Sequence, residues 1–309
     1  MVENKQKEMK IAAITITHND DYKFKEWCEH YEEYKDAIAL HIIVDNSSTP
    51  EYLQKVKSYF TNSIIIERDT NGGCTGAYND GLRKALEYSD VDSIMLIGND
   101  IKISATDIVT LHDFLYSQFE YGMVSPVLLS PRTGKIECYG SKLNIWGVDV
   151  FPYLGYDYND PSLPSYREVE YVTGGMNLSK REFYERVGLQ DEKLFMYADE
   201  LDMCCRAKKA SYKEAVTKSA VAYHCHINPK QSTIRRPEMY YLHGRNIVYL
   251  YKKHYKFIWI FKFLVRFITL SRPFLLHPFN KDQRIIFKNR CKGFYAGIKG
   301  DMDNSFMQS

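Results

Sequence analysis

The first third of the chain alternates four β-branched, apolar runs with stretches of helical pattern. The runs are almost continuously hydrophobic instead of alternating with polar residues, as expected of strands that are covered on both faces. Strands of this kind, separated by helices, form a parallel sheet with a helical layer on each side. The predicted strands and helices are strands 10–17, 39–44, 63–67 and 91–97, and helices near 23–34 and 51–60.

Polar residues follow the predicted strands at the points where the strands end. They are His18, Asn19, Asp45, Asn71 and Asp100. Because ligands of open α/β sheets bind beyond the carboxyl ends of the strands, these side chains should converge on one crevice. The sequence therefore predicts a ligand site at this edge of the sheet.

Length and composition restrict the class of protein. The chain has 309 residues, 45% of them hydrophobic and 26% charged, which fits one large α/β domain or a domain with a smaller appendage. Its net charge of +2 gives no indication of nucleic-acid binding. Seven irregularly spaced cysteines argue against a disulfide framework and for a reducing compartment. The polar start of the chain does not resemble a signal peptide.

A glycine-rich stretch follows the third predicted strand and precedes a helix. It begins with Asn71, Gly72 and Gly73 and has a further glycine at Gly76. The stretch matches neither a Walker P-loop nor the Rossmann G-x-G-x-x-G pattern. Its glycines either let the backbone approach a ligand or form a tight turn between strand and helix, and the sequence leaves both readings open.

The fourth predicted strand ends in Gly98, Asn99 and Asp100, which places an acid at the carboxyl edge of the sheet. Such a carboxylate can hold Mg²⁺ or Mn²⁺ against a diphosphate. A helix N-cap or a turn aspartate is the alternative interpretation. A histidine at the end of a later predicted strand, His224, could complete a metal site with Asp100 and phosphate oxygens.

Cysteines and histidines cluster in two places, which raises the question of zinc. The two clusters are the adjacent Cys204 and Cys205 and the triplet His224, Cys225 and His226. Neither spacing matches the usual zinc pairings. Residues 220–226 fit a strand instead, in which the two histidines point to one face and the cysteine to the other. The sequence therefore does not favour structural zinc.

Three carboxylates follow an aromatic segment in the stretch LFMYADELDMCCR, residues 194–206. Helical spacing makes Asp202 and Arg206 a favourable i, i+4 ion pair, which explains both as structural residues. Asp199 and Glu200 lie at the expected N-terminus of the helix, where the helix dipole stabilises negative charge. Their position after an apolar segment should bury them in part, and a carboxylate in such a place can act as a general base.

The middle of the chain, 122–175, has an irregular pattern with proline and glycine at turns, and we expect further strands and loops there. A helix is predicted at 179–187. Ser179 would be its N-cap and Glu182 its third helical residue, which is the capping-box pattern.

Residues 257–276 are the most apolar region, but Lys262, Arg266 and Arg272 interrupt it. The uninterrupted apolar pieces are too short to span a bilayer. One interpretation is an interfacial helix whose aromatic and aliphatic residues enter the membrane while its basic residues meet anionic headgroups. A core helix and a dimer contact are the other interpretations, and the sequence does not choose among them.

The chain resembles the inverting family 2 glycosyltransferases of GT-A fold over 11–250, because six motifs occur together and in the same order. The resemblance is closest to the bacterial branch that includes rhamnosyl- and galactofuranosyltransferases. The motifs are residues 14–19, 43–48, 71–81, 96–101, 173–178 and 187–206. It implies a Rossmann-like nucleotide-binding half, a mostly parallel central sheet flanked by helices, and a C-terminal helical extension.

The resemblance also implies a division of the chain. A GT-A domain would span 1–230, with a nucleotide-sugar-binding half at 11–105 and an acceptor half at 106–230. Residues 231–309 would form a helical region that associates with a membrane or dimerises.

Residue roles follow from the same resemblance. Glu200 would be the catalytic base with Asp199 as its alternative, and Asp100 with His224 would bind Mg²⁺ or Mn²⁺. Gly98 replaces the first acid of the family's D-x-D motif, so strong metal dependence is not implied. The residues expected to bind the nucleotide sugar are Thr17, His18, Asn19, Asp45, Asn71, Gly72, Gly73 and Asn99. The residues expected on the acceptor side are Gly174, Gly175, Asp202 and Arg206.

The implied activity is transfer of a sugar, with inversion, from a UDP- or dTDP-sugar to a hydroxyl of a glycan acceptor. The resemblance implies a role in bacterial capsule, O-antigen or exopolysaccharide biosynthesis. The basic aromatic segment 257–276, which is too interrupted to span a bilayer, suggests the hypothesis of a polyprenyl-diphosphate-linked acceptor at the cytoplasmic face of the cell membrane. A nucleotidyltransferase that makes sugar nucleotides is one alternative, although residues 11–21 lack its Gly-rich basic loop. A catalytically inactive membrane-peripheral scaffold is another, and Gly98 is its main support.

Overall fold

A computed structural model of the chain describes residues 9–143, 149–172, 175–225 and 236–307. Its strands are β1 (Ile11–Thr17), β2 (Leu40–Asp45), β3 (Ile64–Glu67), β4 (Ser93–Ile97), β5 (Ile101–Ile103), β6 (Tyr121–Leu129), β7 (Ile136–Cys138), β8 (Lys142–Leu143), β9 (Asp149–Val150), β10 (Tyr166–Val169), β11 (Met176–Lys180) and β12 (Lys213–His224). Its α-helices are α1 (Phe24–Tyr34), α2 (Pro50–Tyr59), α3 (Gly73–Leu86), α4 (Ala105–Ser117), α5 (Arg181–Val187), α6 (Asp199–Lys209), α7 (Pro237–His254), α8 (Trp259–Leu276) and α9 (Lys281–Lys299).

The main sheet of the described residues has the strand order β10-β12-β6-β11-β4-β1-β2-β3, with β5 paired to β12 and β7 to β6. Strands β4, β1, β2 and β3 run parallel, as the alternation of strands and helices predicts. The other half is mixed, because β11 runs antiparallel to both of its neighbours. The predicted α/β class with a parallel half is therefore confirmed.

Both faces of β1 are buried, which explains its nearly continuous hydrophobic run. Ala12 and Ile14 belong to one core, and Ile11 and Ala13 belong to another. Because successive side chains of a strand point to opposite faces, these two cores lie on opposite sides of the sheet. Helix α3 contributes to the first core and α4 to the second. This three-layer packing leaves the ends of the strands for a ligand site.

The predicted strands and helices of the first third lie within two residues of the observed ones. The prediction of a helix N-cap at Ser179 is wrong. Ser179 lies in β11, and α5 begins at Arg181 without a side-chain cap. Strand β11 bonds to β4 as far as Lys180, so hydrogen bonding on the sheet outweighs the local capping pattern.

Strand β12 brings two distant parts of the chain together. It includes residues 220–224 of the strand predicted at 220–226 and ends at His224, while His226 lies outside the described residues. His224 pairs with Ile101, which directly follows Asp100. The Cys225 N–H donates to the Asp100 carbonyl at 2.8 Å. Strand pairing therefore places His224 beside Asp100.

The C-terminal region contains α7, α8 and α9, and α7 packs closely on α9. A Cβ atom on Gly293 would collide with the Tyr241 carbonyl, so glycine is what allows the two backbones to touch. The helical character predicted for 257–276 is confirmed by α8. No helix of the described residues combines the length and the apolar character needed to cross a bilayer.

Helix α8 turns two of its basic residues inward, contrary to the expectation for headgroup contact. Lys262 is 8% exposed and Arg266 is 5% exposed. The Lys262 ammonium lies 4.5 Å from the centre of the Tyr255 ring, in a cation–π contact. Only Arg272 of the three basic residues of α8 is exposed. The sequence shows that these residues are basic, but whether their side chains point inward or toward solvent depends on how α8 packs on its neighbours.

Candidate active site

The ends of β1 and β4 carry a hydrogen-bonded polar cluster. The Thr17 hydroxyl lies 2.5 Å from the hydroxyl of Tyr52 and donates to Asp20 Oδ2 at 3.1 Å. The Asn99 amide donates to the same Asp20 oxygen at 2.7 Å. Thr17 and Asn99, both predicted to bind nucleotide, therefore meet at one place. Tyr52 lies within α2 and does not follow a strand in the sequence, so the pattern of polar residues after strands does not predict its contact with Thr17.

The loops after β1 and β2 hold each other in place. The Asn19 N–H donates to Ser48 Oγ at 3.0 Å, and Asn19 Oδ1 accepts from the Thr49 N–H at 2.8 Å. Asp45 is 2% exposed, and its Oδ2 accepts from the Ser48 N–H at 3.0 Å. Within the described ranges Asp45 Oδ1 has no hydrogen-bond partner, so it is available to a donor group. His18 is exposed at the rim.

Asn46 organises the glycine-rich turn between β3 and α3. Its amide donates to Asn71 Oδ1 at 2.9 Å and to the Gly73 carbonyl at 3.1 Å, and its Oδ1 accepts from the Gly72 N–H at 2.9 Å. Gly73 has a φ of +69°, and a Cβ atom there would collide with the Phe195 carbonyl. Gly73 therefore permits close packing of this turn against the segment around Phe195, and a tight turn is the reading that the structure supports for it.

Asp100 and His224, the two predicted metal ligands, lie close together. His224 Nε2 lies 3.7 Å from Asp100 Oδ1, and both side chains are partly exposed. A carboxylate and an imidazole at this distance can both ligate one Mn²⁺ or Mg²⁺ ion, because each ligand atom lies about 2.1 Å from such an ion. No group of three or more His, Cys, Asp and Glu side chains within the described ranges is arranged to hold a metal. The pair therefore fits a site whose other ligands come from outside the protein.

Lys23 adds a cation to the same region. Its ammonium lies 3.7 Å from Asp100 Oδ2 and 3.5 Å from Asp20 Oδ1. Burial lowers the pKa of Lys23, but the charges of Asp100 and Asp20 outweigh it, and the net pKa is raised. Lys23 therefore stays protonated beside Asp100 at neutral pH. At Gly98, a Cβ atom would lie 2.8 Å from Asp100 Oδ1, so a side chain there would crowd the acid.

Asp199 and Glu200 begin α6, and their carboxyl groups share a hydrogen bond. Burial and the charge of Glu200 raise the pKa of Asp199 well above its ordinary value. Burial also raises the pKa of Glu200, but hydrogen bonds from the backbone and from Asp199 oppose part of this rise. The pKa values of both groups are raised, so the pair holds a proton more readily than an exposed carboxylate, and the larger rise at Asp199 favours Glu200 as the group that ionises first. The pair presents a carboxylate of raised basicity that is supported by a neutral acid.

Tyr78 of α3 connects this acid pair with the crevice at the strand ends. Burial raises the pKa of Tyr78 well above its ordinary value, and the negative charges of Asp100, Asp199 and Glu200 add to the effect. The Tyr78 hydroxyl is therefore within electrostatic range of all three carboxylates. The fold thus gathers the expected metal ligand and the expected base around one helix.

The backbone before the acid pair is strained. Phe195, Tyr197 and Ala198 have φ values of +63°, +68° and +66°, a region that costs most residues about 1 kcal/mol or more each. Phe195 forms a γ-turn, which the Met196 N–H closes by donating to the Leu194 carbonyl at 2.7 Å. Strain in the segment that leads into Asp199 indicates that other parts of the protein hold it.

Asn246 of α7 holds this segment. Its amide donates to the carbonyls of Leu194, Met196 and Tyr197 at 2.7, 2.8 and 3.0 Å. The neighbouring Arg245 donates to the Lys193 carbonyl at 3.2 Å, and both side chains are fully buried. The sequence analysis did not identify Asn246. Two adjacent polar residues among the apolar positions of α7 are the feature that could have indicated it.

Asp202 is buried among cationic side chains. It is 1% exposed, and its carboxylate contacts Arg206 Nε at 2.9 Å, His254 Nε2 at 2.7 Å and Lys253 Nζ at 2.8 Å. Burial alone would raise the pKa of Asp202, but these partners hold it well below its ordinary value. Arg206 also donates to the Val187 carbonyl at 2.6 Å. The predicted ion pair between Asp202 and Arg206 is present and gives both residues a structural role, and the acceptor-side role expected of them stays a prediction.

The remaining predicted residues on the acceptor side are glycines. Gly174 lies outside the described residues. Gly175 has a φ of +110°, and its carbonyl accepts from the Gly98 N–H at 2.7 Å.

Cys204 is buried beside Glu214, a glutamate whose pKa is raised by burial to about 8. Its surroundings are those of a core thiol, in agreement with the reading that does not favour zinc.

The fold and the arrangement of the crevice define a class: the chain has a GT-A-like fold. The crystal structure of GalNAc-T7 with UDP, GalNAc and Mn²⁺ matches 94% of this chain and 56% of that chain, with a TM-score of 0.63 and 12% identity. The mannosyltransferase PcManGT from Pyrobaculum calidifontis, in complex with GDP-Man and Mn²⁺, matches 96% of this chain and 88% of that chain, with a TM-score of 0.58 and 14% identity. At these identities the likeness shows the fold alone, and it confirms the fold prediction.

The sequence itself is similar to a low-salt glycan biosynthesis hexosyltransferase, Agl10, from the archaeon Haloferax volcanii. The two are 24% identical over 196 residues, which are 61% of this chain and 60% of that protein. The chain therefore spans about three fifths of the length of the curated relative that it matches. No protein-family model matches the chain. The chain is a distant homologue of an archaeal protein, and membership of the bacterial branch stays a prediction.

Proposed function

We propose that the protein is an inverting glycosyltransferase that moves a hexose from a nucleoside diphosphate sugar to a hydroxyl of a glycan acceptor. The observation that carries this proposal is the buried Asp199–Glu200 carboxyl pair, which acts electrostatically on Tyr78 together with Asp100 at the carboxyl ends of the parallel strands. A base and an anchor for the diphosphate are the two parts that a single displacement requires. The similarity to the hexosyltransferase Agl10 and the GT-A-like fold support the same conclusion.

Glu200 is the proposed general base, and Asp199 is its neutral partner. Because Asp199 keeps its proton, it donates a hydrogen bond to Glu200 and fixes the direction of the carboxylate. The raised pKa of Glu200 makes it a stronger base than an exposed glutamate. It would take the proton of the acceptor hydroxyl while the oxygen attacks the anomeric carbon opposite the leaving diphosphate. One displacement inverts the configuration, and no enzyme nucleophile takes part.

Asp100 and His224 would hold Mg²⁺ or Mn²⁺, and a bound ion would neutralise negative charge that grows on the leaving diphosphate. The GalNAc-T7 and PcManGT structures both contain Mn²⁺. The protonated Lys23 beside Asp100 supplies a second positive charge from the chain itself. We therefore expect activity to depend on the metal only in part, as the loss of the first D-x-D acid at Gly98 also implies.

The proposed donor site lies at the ends of β1, β2 and β4. Thr17, His18, Asn19 and Asp45 would contact the base and ribose, and Asp45 Oδ1 offers an acceptor to a donor group of the nucleoside. Asn71, Gly72, Gly73 and Asn99 would shape the wall beside them. The donor is a UDP- or dTDP-sugar in this proposal. GDP-Man is the alternative that the complex of PcManGT makes worth testing.

The acceptor is proposed to be a glycan on a polyprenyl diphosphate, in the synthesis of a cell-surface polysaccharide or glycan. The free cysteines, found throughout the described residues, suit a reducing compartment, so we place the reaction at the cytoplasmic face of the cell membrane. Dimer formation stays a prediction.

The test is replacement of Glu200 by glutamine. The full chain is incubated with a panel of nucleotide sugars and Mg²⁺ or Mn²⁺, and release of nucleoside diphosphate is measured with and without acceptor glycans. Glu200→Gln should lower transfer about 1,000-fold, since a general base contributes about 10²–10⁴-fold. The thermal shift caused by the donor should persist, because the nucleotide contacts are unchanged.

Glu185→Gln is the matched control, because Glu185 is an exposed glutamate of α5 whose only hydrogen-bond partner in the described part of the chain is Arg181, at 2.8 Å. It should keep full activity. Substantial transfer by Glu200→Gln would reject the assignment of the base. Formation of a sugar nucleotide from a nucleoside triphosphate and a sugar phosphate would support a nucleotidyltransferase instead. Donor binding without any turnover would support an inactive scaffold.

A further inference from the structure

Helix α8 has an inverted surface: polar residues are buried and apolar residues face solvent. Its buried residues are Lys262, Arg266 and Ser271. In contrast, Ile260, Leu264 and Ile268 are each at least half exposed, and they recur at every fourth position. Residues at this spacing lie on one face of a helix. A water-soluble surface usually has the opposite arrangement, so the outer face of α8 is suited to an apolar environment.

The apolar surface extends beyond α8 at both ends. Phe257 before the helix is 98% exposed, and Phe279 after it is 95% exposed. Leu275 and Leu276 are also exposed at the end of α8. Scattered apolar residues are common on protein surfaces, but a continuous set of large ones marks an interaction site. We name this set, residues 257–279, the α8 face.

The charge around the α8 face is strongly positive. Residues 256–299 include ten lysines and arginines and one acidic residue, Asp282, whereas the whole chain has a net charge of +2. Lys256, Arg272, Lys281 and Arg284 are exposed among these residues. A basic rim around an apolar face complements a surface of anionic lipid, in which acyl chains lie below negative headgroups.

A cleft between α8 and α9 combines both properties. It has a volume of about 290 Å³ and is lined by Phe274, Arg284, Ile285, Phe287 and Lys288. The rings of Phe274 and Phe287 stack at 4.3 Å and form its apolar wall. Two cationic side chains beside an apolar wall match a lipid phosphate with its acyl chain.

We propose that the α8 face docks on the surface of an anionic bilayer, with Arg284 and Lys288 of the α8–α9 cleft bound to lipid phosphates. The occupant is a lipid surface and not a second copy of the chain, because a chain-to-chain contact through this face would bring two strongly basic regions together. The proposal depends on the C-terminal helices and is independent of the proposed catalytic activity.

The test is flotation of the full chain with vesicles of phosphatidylcholine, with and without phosphatidylglycerol. The wild type should float with the anionic vesicles, and increasing salt should release it. Arg284→Ala with Lys288→Ala should weaken binding about 30-fold, because each basic residue near an anionic surface contributes about fivefold. Ile260→Ser with Leu264→Ser should weaken it by at least about tenfold.

Lys25→Ala with Lys57→Ala is the matched control, because these lysines lie on α1 and α2, in the first third of the chain, and outside residues 256–299. This variant should bind like the wild type. All exchanged side chains are at least partly exposed, and unchanged thermal unfolding would show that the variants fold. Equal flotation with neutral and anionic vesicles, or none with either, would overturn the proposal. A dimer that Leu264→Ser dissociates, or binding of inorganic phosphate without vesicle binding, would also overturn it.

Discussion

Replacing Asn246 with alanine removes the amide that holds the strained segment before Asp199 and Glu200. The amide of Asn246 serves three carbonyls with two N–H groups, so the change removes about two full hydrogen bonds. Loss of a donor from a buried acceptor costs about 1–3 kcal/mol. We therefore expect the change to destabilise this part of the structure by about 2–6 kcal/mol.

Part of the lost stabilisation should appear as disorder of the segment that carries Asp199 and Glu200. Phe195, Tyr197 and Ala198 hold positive φ values against their own preference, so the segment relaxes once the amide is gone. If about 2 kcal/mol falls on the ordered form of the segment, the equilibrium constant for its ordering decreases about 30-fold. The kcat should fall by up to this factor. The KM for the donor should change less, because the amide N–H groups of Asn246 bond to the segment before the acid pair and not to the residues assigned to the donor.

The assay compares kcat and KM for release of nucleoside diphosphate with the thermal stability of each variant. Asn289→Ala is the matched control: its amide donates to the Ile285 carbonyl at 2.9 Å within α9, away from the acid pair. It should change kcat by less than about twofold. An Asn246→Ala protein with lowered thermal stability and an unchanged kcat would show that the amide only stabilises the fold and would refute the reasoning.

Three further predictions concern the carboxylates of α6. Asp199→Asn should keep transfer within about tenfold, because Asp199 is already neutral and an amide can donate the same hydrogen bond; a loss as large as that of Glu200→Gln would make Asp199 the base. Transfer should rise with pH through the folded pKa of Glu200, which lies above its ordinary value, and a pH–rate profile with its midpoint at or below that value would contradict this. Asp202→Asn should lower the free energy of unfolding by about 3–5 kcal/mol, measured by denaturant titration at neutral pH against the exposed Asp113→Asn. Since the folded pKa of Asp202 is depressed, this stabilisation exists above its ordinary pKa and disappears as pH falls through the folded one.

The strands, the helices of the first third and the location of the crevice could be predicted because their causes are local or follow from topology. A continuous apolar run identifies a doubly covered strand wherever it lies. Once the strands are known to be parallel, Thr17, Asn99 and Asp100 must meet at one edge. His224 was placed beside Asp100 on the same basis, with the help of the family resemblance.

Other features depend on contacts between distant segments, which leave no local pattern. The capping box at Ser179 is a valid local pattern, but pairing of β11 with β4 extends the strand through it. The direction of Lys262 depends on where Tyr255 lies after α8 folds back. Asn246 and the segment that it holds are about fifty residues apart. For the same reason the burial of Asp202 by Lys253 could not be read from α6 alone.

The contacts of Asn246 also bear on the predicted division of the chain at residue 230. Asn246 and Arg245 belong to α7, in the predicted C-terminal region, yet they are buried against the backbone that leads into Asp199. Lys253 of the same helix pairs with Asp202 at 2.8 Å. A buried amide and a buried ion pair are stable only while both partners are present. Helix α7 is therefore needed to hold the segment that leads into the proposed base, and the division at residue 230 stays a prediction.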